Sequence, residues 1–282
     1  MKIFHVDVFS KGPFSGNGLT VVFVDNRLSK ELMQQIAVEF KQFETIFLEK
    51  ITEDTYEARI FTTQEELDFA GHPILGAAAV VHKENFANEP DRTITFQLNQ
   101  KNVVTTSKQI GNRYEVVMNQ GVPVWGSEEN EEWRERYCKA LNLKIEDLCE
   151  EYPMEVVSTG LPYLLVPVKS GQPGARILTK EFEAFLAENG AKFTYVFDIP
   201  TMEGRTWENY GGTEDVATGS AAGPMGAYLY KHALFNKNET IAINQGSYLN
   251  RPSILKVSCK ESTGEILVSG DVTFLSKGEL YL

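Results

Sequence analysis

Hydrophobic and polar residues alternate along many short segments of this chain. The first two, KIFHVDVF and LTVVFVD, are separated by the turn-rich run SKGPFSGNG, which is typical of two strands joined by a loop. Strand-like composition recurs in ETIFLEK, YEARIFT, TITFQL, YEVVMN, MEVVST, YLLVPV, FTYVFDI, ETIAIN, ILKVSC and EILVSG. Many strands with few helices predict an α+β fold.

One amphipathic helix is predicted from about Ser29, which is a suitable N-cap. Its apolar stripe at helical spacing consists of Leu32, Met33, Ile36, Ala37 and Phe40.

A different kind of helix is predicted for residues 69–82, which read FAGHPILGAAAVVH. Pro73 after Gly71 and His72 marks a helix start, because the missing N–H of proline costs nothing there. From Ile74 to Val81 every residue is apolar or glycine, so this helix should be buried on all faces. It is too short to span a membrane, which takes about twenty residues.

Residues 213–232, TEDVATGSAAGPMGAYLYKH, repeat this pattern. A shift along the chain by about half its length aligns Glu66 with Glu214, Gly71 with Gly219, Ala79 with Ala227 and Lys83 with Lys231. We therefore predict two pseudo-symmetric halves, each a curled mixed β-sheet around a central helix. They are residues 1–118, with the helix near 72–83, and residues 119–269, with the helix near 219–232. A C-terminal strand, 270–282, is predicted to return to the first half.

The composition argues against two classes of binding partner. The formal net charge is −12 and the pI is near 4.9, which argues against nucleic-acid and anionic-membrane partners because both require a basic face. The densest acidic run, SEENEEWRER at 127–136, is interpreted as a solvated helix face. MKIFHVDVFS lacks the apolar core of a signal peptide, so a cytoplasmic location is expected.

Familiar cofactor and metal motifs do not occur in the sequence. The four histidines show no HxH or HExxH spacing, and the three cysteines form no CxxC pair. There is no G-x-G-x-x-G, Walker loop or G-x-S-x-G elbow. Neither a metal nor a nucleotide cofactor is expected.

The two helix starts suggest chemistry of another kind. A helix N-terminus carries unpaired N–H groups and about half a positive charge, so it attracts carboxylates and developing oxyanions. If the halves face each other, both starts converge on one cleft. That arrangement would suit a small acid from which a proton is removed next to its carboxylate.

Several segments together, in order and over nearly the whole chain, resemble the phenazine-biosynthesis-like (PhzF-like) family: VDVFSKGPFSGNGLTVVFVD, FETIFLEK, DFAGHPILGAA, STGLPYLLVPV, TEDVATGSAAGPMGAYL and QGSYLNRPS. The resemblance implies the diaminopimelate-epimerase-like fold, a homodimer, and a cofactor- and metal-independent isomerase that transfers a proton within a small carboxylated substrate. It places the catalytic glutamate at Glu44, the histidine at His72 and the aspartate at Asp215. It also matches a family serine at Ser220. The candidate substrate-binding residues are therefore Ser220, the helix-start glycines Gly71 and Gly219, and Asn17, which is a cleft candidate in the SGNG turn.

The chain departs from relatives of this fold in several places. Epimerases that use two thiols would have a cysteine where this chain has Ala70, and residues 213–220 contain none, so a two-thiol racemase is not expected. Gly18, Phe43 and Val216 replace residues common in the family, and Phe43 makes the approach to Glu44 more apolar. Pro224 would remove an early bond from a helix starting at Ser220, which predicts a kink or a later start.

Other interpretations stay open at this stage. Asp215 and Thr218 could simply cap the second helix, and Asn17 could be a turn residue. His82 and His232, near the helix ends, are interpreted as structural.

The alternative function is a small-molecule-binding homologue without turnover. Retention of Glu44, His72 and Asp215 together favours the isomerase, because a binding module has less need of a tuned acid.

Overall fold

The computed structural model describes residues 1–25 and 27–282. They form two compact units, one of residues 1–119 with 269–282 and the other of residues 120–268. Each unit is a mixed β-sheet with one buried central helix and a shorter helix between two parallel strands. This confirms the predicted α+β fold class of two pseudo-symmetric halves.

The described residues of the first unit contain eight strands in a ring and one short additional strand. They are β1 Lys2–Val8, β2 Asn17–Phe23, β3 Glu44–Lys50, β4 Thr55–Phe61, β5 Glu66–Leu67, β6 Asp91–Gln97, β7 Asn102–Ile110, β8 Arg113–Gly121 and β16 Glu265–Glu279, which begins in the second unit. The order is β1-β2-β3-β4-β6-β7-β8-β16, and β16 also pairs with β1. Strands β2 and β3 are parallel, as are β4 and β6.

The two helices of this unit have the predicted character. Helix α1, Lys30–Phe40, begins after Ser29, whose hydroxyl accepts a hydrogen bond from the Leu32 N–H. Helix α2, Gly71–Asn85, is buried at every residue from 71 to 82. Gly76 lets α2 approach the sheet closely, because a Cβ there would lie 2.4 Å from Cδ2 of Leu19 in β2.

The second unit has a similar arrangement of strands and helices. Its strands are β9 Val124–Glu128, β10 Glu155–Ser158, β11 Pro162–Val168, β12 Phe193–Asp198, β13 Glu203–Arg205, β14 Ile241–Gln245 and β15 Ser253–Lys260. Their order is β15-β14-β13-β12-β11-β10-β9, with β16 beside β15. Strands β11 and β12 are parallel and flank a helix in sequence, as β2 and β3 do.

Three α-helices belong to this unit: α3 Glu131–Ala140, α4 Phe182–Glu188 and α5 Gly219–Lys231. Helix α5 is buried from Gly219 to Tyr230, as predicted. Of the two predicted alternatives, the later start is wrong, because α5 begins at Gly219 and Pro224 lies inside it. Pro224 cannot donate the usual hydrogen bond to the Ser220 carbonyl, and its ring crowds that carbonyl, so a kink at this point stays a prediction.

An arginine–glutamate pair precedes the central helix in each unit. Arg59 bonds both carboxylate oxygens of Glu66 at 2.7 and 2.9 Å, and Arg205 bonds both oxygens of Glu214 at 2.8 and 2.7 Å. Bidentate pairs of this kind fix the relative orientation of the two side chains. The two glutamates are the residues that the internal repeat aligns.

The pair in the first unit should make stability depend on pH. The hydrogen bond from Arg59 lowers the pKa of Glu66 from 4.5 to about 2. The stabilisation is therefore fully present above pH 4.5 and is lost as the pH falls from 4.5 to about 2. After solvent screening of the partly exposed Arg59, we expect the loss to be about 1–2 kcal/mol.

The measurement compares the free energy of unfolding of the parent and of Glu66→Gln at about pH 7 and about pH 2.5. The gap between the two proteins should shrink at the lower pH. An equal gap at both values would contradict the assignment.

Within residues 1–25 and 27–282, no helix is both long enough and apolar enough to cross a membrane.

Candidate active site

Glu44 is the first residue of β3 and lies beside Leu19 of the parallel strand β2. It is only 6% exposed, which is unusual for a carboxylate. Its Oε2 lies 3.2 Å from Nε2 of His72, the second residue of α2. The fold of the first unit therefore brings together the glutamate and the histidine that the resemblance implied.

Asn17 fixes the proton position on His72. It is the first residue of β2 and is 2% exposed, so its interpretation as a turn residue is wrong. Its side-chain Nδ2 lies 3.3 Å from Nδ1 of His72. With the amide nitrogen as the donor, Nδ1 accepts and the neutral ring carries its hydrogen on Nε2, facing Glu44.

Burial determines the charge of His72. Its side chain is 3% exposed, and desolvation lowers its pKa from 6.5 to about 3. The ring is therefore neutral at physiological pH and offers an N–H donor without a positive charge. Its contact with Glu44 is within polar reach but lacks full hydrogen-bond alignment. Such contacts commonly tighten when a substrate binds.

Both central helices begin at the glycines predicted to bind substrate. Gly71 is the first residue of α2 and Gly219 is the first of α5. Among the described residues, neither helix start receives a capping hydrogen bond from the side chain at its N-cap, Ala70 or Thr218. N–H groups at the start of a helix are suited to binding an anion, although in α5 the Ala221 N–H already donates to the Thr218 carbonyl at 3.1 Å.

Asp215 lies in the second unit, four residues before α5, and is 7% exposed. The hydroxyl of Thr218 donates a short hydrogen bond to Oδ2 of Asp215. Interpretation of the Thr218 side chain as a helix cap is therefore wrong, since its hydroxyl is directed to the carboxylate. Ser220, also buried, has its Oγ 2.7 Å from the hydroxyl of Tyr163.

Three polar residues near α5 were not predicted from the sequence. Tyr163 contacts Ser220, Gln120 donates to the Gly219 carbonyl at 2.9 Å, and Gln245 donates to the Asp215 carbonyl at 2.9 Å. Tyr163 and Gln245 lie in STGLPYLLVPV and QGSYLNRPS, two segments that carried the family resemblance. Their position there was a signal, but no spacing rule connects them to α5.

The cysteines lie outside these clusters. Cys138 and Cys149 are buried and Cys259 is partly buried. Desolvation raises the pKa of Cys138 to about 11 and also raises the pKa of Cys149, so neither is a ready thiolate.

Replacement of all three cysteines by serine should leave isomerase activity within about threefold of the parent, because in the described part of the chain none of them contacts Glu44, His72 or Asp215 and the raised pKa of Cys138 and of Cys149 makes these two thiols poor nucleophiles or bases. The measurement is the turnover rate, and circular dichroism is the control for folding. A second variant, with alanine at all three positions, removes the thiols without introducing polar hydroxyl groups. Loss of activity in both variants with an intact fold would show that a thiol takes part.

Comparisons with known proteins show which family the chain belongs to. The family model described as "phenazine biosynthesis-like protein" matches residues 6–278. The chain is 30% identical to trans-2,3-dihydro-3-hydroxyanthranilate isomerase of Pseudomonas chlororaphis over 296 residues, which cover 98% of each protein. It is also 30% identical to an uncharacterized isomerase of Clostridium acetobutylicum over 302 residues, covering 100% of this chain and 98% of that protein.

A solved structure, that of a predicted epimerase from Pseudomonas aeruginosa, is 40% identical to this chain. It superposes with a TM-score of 0.94, covering 100% of this chain and 99% of the other. The match to the family model extends over most of the chain, and the curated relatives are isomerases. The chain therefore belongs to the phenazine-biosynthesis-like (PhzF-like) family, and it is an isomerase.

Proposed function

We propose that this isomerase moves a proton between two carbons of a small carboxylated substrate, with Glu44 as the acid/base. The observation that carries the proposal is the buried Glu44 carboxylate, whose Oε2 lies 3.2 Å from the Nε2 of His72 at the start of α2. A general base needs to be within reach of its proton and shielded from competing water. Burial of Glu44 supports the second requirement.

The chemistry is balanced without a co-reactant. The carboxylate of Glu44 takes a proton from one carbon, the electron pair of that C–H bond shifts into the adjacent unsaturated system, and the double bonds rearrange. Protonated Glu44 then delivers its proton to a different carbon. The product has the same composition as the substrate. A neutral His72 directs its Nε2–H at the Glu44 carboxylate, which orients the base, and the uncharged ring is not a competing acid.

The substrate carboxylate is proposed to bind at the helix starts. The N–H groups of the first turns at Gly71 and Gly219 favour an anion, and Ser220 offers a hydroxyl beside the second start. Asp215 is proposed to act on a polar or protonated group of the same substrate. That both helix starts serve one substrate molecule stays a prediction.

The compound to test first is trans-2,3-dihydro-3-hydroxyanthranilate, because curated relatives at about 30% identity are named as its isomerases. It carries both a carboxylate and an unsaturated ring, which the proposed proton shift requires. A panel of other small unsaturated acids and amino acids extends the search.

The experiment incubates the purified protein with each compound in deuterated water and follows it by mass spectrometry and NMR. Conversion should occur with uptake of up to one deuterium at the carbon that receives the proton. Tight binding across the panel without conversion or deuterium uptake would contradict the proposal and favour a binding homologue that lacks turnover.

A further inference from the structure

Gln245 is the last residue of β14 and is 1% exposed. Every hydrogen-bonding position of its side-chain amide has a partner. Its Oε1 accepts from the Tyr195 hydroxyl at 2.9 Å and from the Thr218 N–H at 3.1 Å. Its Nε2 donates to the Asp215 carbonyl at 2.9 Å and to Oγ1 of Thr218 at 3.0 Å. A primary amide has two donor hydrogens and two main acceptor positions, and all four are occupied.

The orientation of this amide is determined by its partners. The backbone N–H of Thr218 can only donate and the backbone carbonyl of Asp215 can only accept. A rotated amide would place donor against donor and acceptor against acceptor. Because Nε2 therefore donates to Oγ1 of Thr218, the hydroxyl hydrogen of Thr218 is directed to Oδ2 of Asp215.

Tyr195 is, through its hydroxyl, the second donor to Oε1 of Gln245. It lies in β12 with no exposed surface, and desolvation raises its pKa well above 10, so it remains a donor at all physiological pH values. Gly204 in β13 makes room for it. A Cβ on Gly204 would lie 1.9 Å from the Tyr195 hydroxyl oxygen, so any side chain there would displace the phenol.

The side-chain hydrogen bonds run in one direction: the Tyr195 hydroxyl donates to Gln245, the Gln245 amide to the Thr218 hydroxyl, and that hydroxyl to the Asp215 carboxylate. A buried network in which every member is satisfied rigidifies the groups at its end. Asp215 also donates its backbone N–H to the Thr206 carbonyl at 3.0 Å, so both its backbone and its carboxylate are held.

We infer that Gln245 and Thr218 are positioning residues for Asp215, and that the fixed direction of their hydrogen bonds keeps the Thr218 hydroxyl donating to the Asp215 carboxylate. The inference rests on the proposed function in that it takes Asp215 to act on the substrate. It adds residues that act through Asp215 rather than on the substrate itself.

The test uses a matched pair at one position. Thr218→Val keeps the shape and removes the hydroxyl, whereas Thr218→Ser keeps the hydroxyl. Loss of a hydrogen bond to a charged group should lower kcat for trans-2,3-dihydro-3-hydroxyanthranilate in Thr218→Val roughly 10- to 100-fold. KM should stay within about threefold, and Thr218→Ser should recover activity to within about threefold of the parent. Equal loss in both variants, or parent activity in Thr218→Val, would overturn the inference.

A second readout does not depend on turnover. In the parent protein, the hydroxyl protons of Thr218 and Tyr195 should give NMR signals that exchange slowly with water. Gln245→Met should remove this protection from both, and Gly204→Ala should remove it from Tyr195. Fast exchange of both signals in the parent would disprove the network, whatever the substrate is. If the protection is present but no compound is converted, the proposed function fails while the network stands.

Discussion

Replacement of Glu44 by glutamine should lower the rate of isomerisation by ~10²–10⁴, which is the usual contribution of a general acid/base. Glutamine keeps the size of the side chain and much of its hydrogen-bonding capacity, but it cannot accept a proton from carbon. The buried position of Glu44, 3.2 Å from His72, leaves little room for water to replace the missing base. The measurement is kcat with trans-2,3-dihydro-3-hydroxyanthranilate or the best substrate of the panel.

Binding should survive this change, because the substrate carboxylate is proposed to bind at the helix starts rather than to Glu44. The dissociation constant should stay within about threefold of the parent, since removal of a base chiefly affects the chemical step. Glu49→Gln is the matched control, because it makes the same substitution on the same strand at an exposed position. Equal losses in the two variants would assign the effect to β3 rather than to the carboxylate.

The largest expected effect on stability is at Glu214. Replacement by glutamine leaves the Arg205 guanidinium without its bidentate partner, although the two side chains are only 8% and 10% exposed. Removal of one partner of a buried ion pair typically costs about 3–5 kcal/mol, because the remaining charge is uncompensated. Glu66→Gln in the first unit should cost less, since the Arg59 side chain is 22% exposed.

Tryptophan fluorescence can measure this effect in the second unit alone. The only tryptophans of the chain are Trp125, Trp133 and Trp207, all between residues 120 and 268. The Arg205 guanidinium also lies 4.9 Å from the centre of the Trp207 ring. The double variant Arg205→Met/Glu214→Leu should recover most of the lost stability, because it removes both charges. A double variant as unstable as Glu214→Gln would show that packing, not charge, holds this segment.

The parts of the fold with strong local signals were predictable. Ser29 caps α1 as expected, and the two buried central helices begin at Gly71 and Gly219, the residues aligned by the repeat. Both signals arise from local physics, namely an N-cap side chain and an apolar surface that must be buried.

Strand β7 was not predicted, and its sequence explains why. Its buried face includes Thr105 and Ser107, so the contrast between inward and outward residues is weak. The Thr105 hydroxyl donates to the Ile94 carbonyl, and the Ser107 hydroxyl lies 3.0 Å from Nδ1 of His82. Hydroxyls that find partners in the interior are compatible with burial but remove the hydrophobic signal.

In the site too, some features could be predicted from local sequence and others depend on tertiary contacts. Glu44, His72 and Asp215 could be named from motif resemblance, but the contacts that set their states come from residues distant in sequence. His72 depends on Asn17, 55 positions away, and Thr218 depends on Gln245, 27 positions away. A polar side chain gives no periodic signal, so its buried partner becomes visible only when the tertiary structure brings the two together.

The most direct test of the central claim, that Glu44 carries the proton, compares solvent deuterium uptake by the parent, Glu44→Gln and Asp215→Asn. Each protein is incubated with the same substrate in deuterated water, and the label is counted by mass spectrometry at early times. We predict that uptake in Glu44→Gln falls by at least about 100-fold while the substrate still binds. Uptake at the parent rate in Glu44→Gln, together with its loss in Asp215→Asn, would contradict the account and assign the base to Asp215.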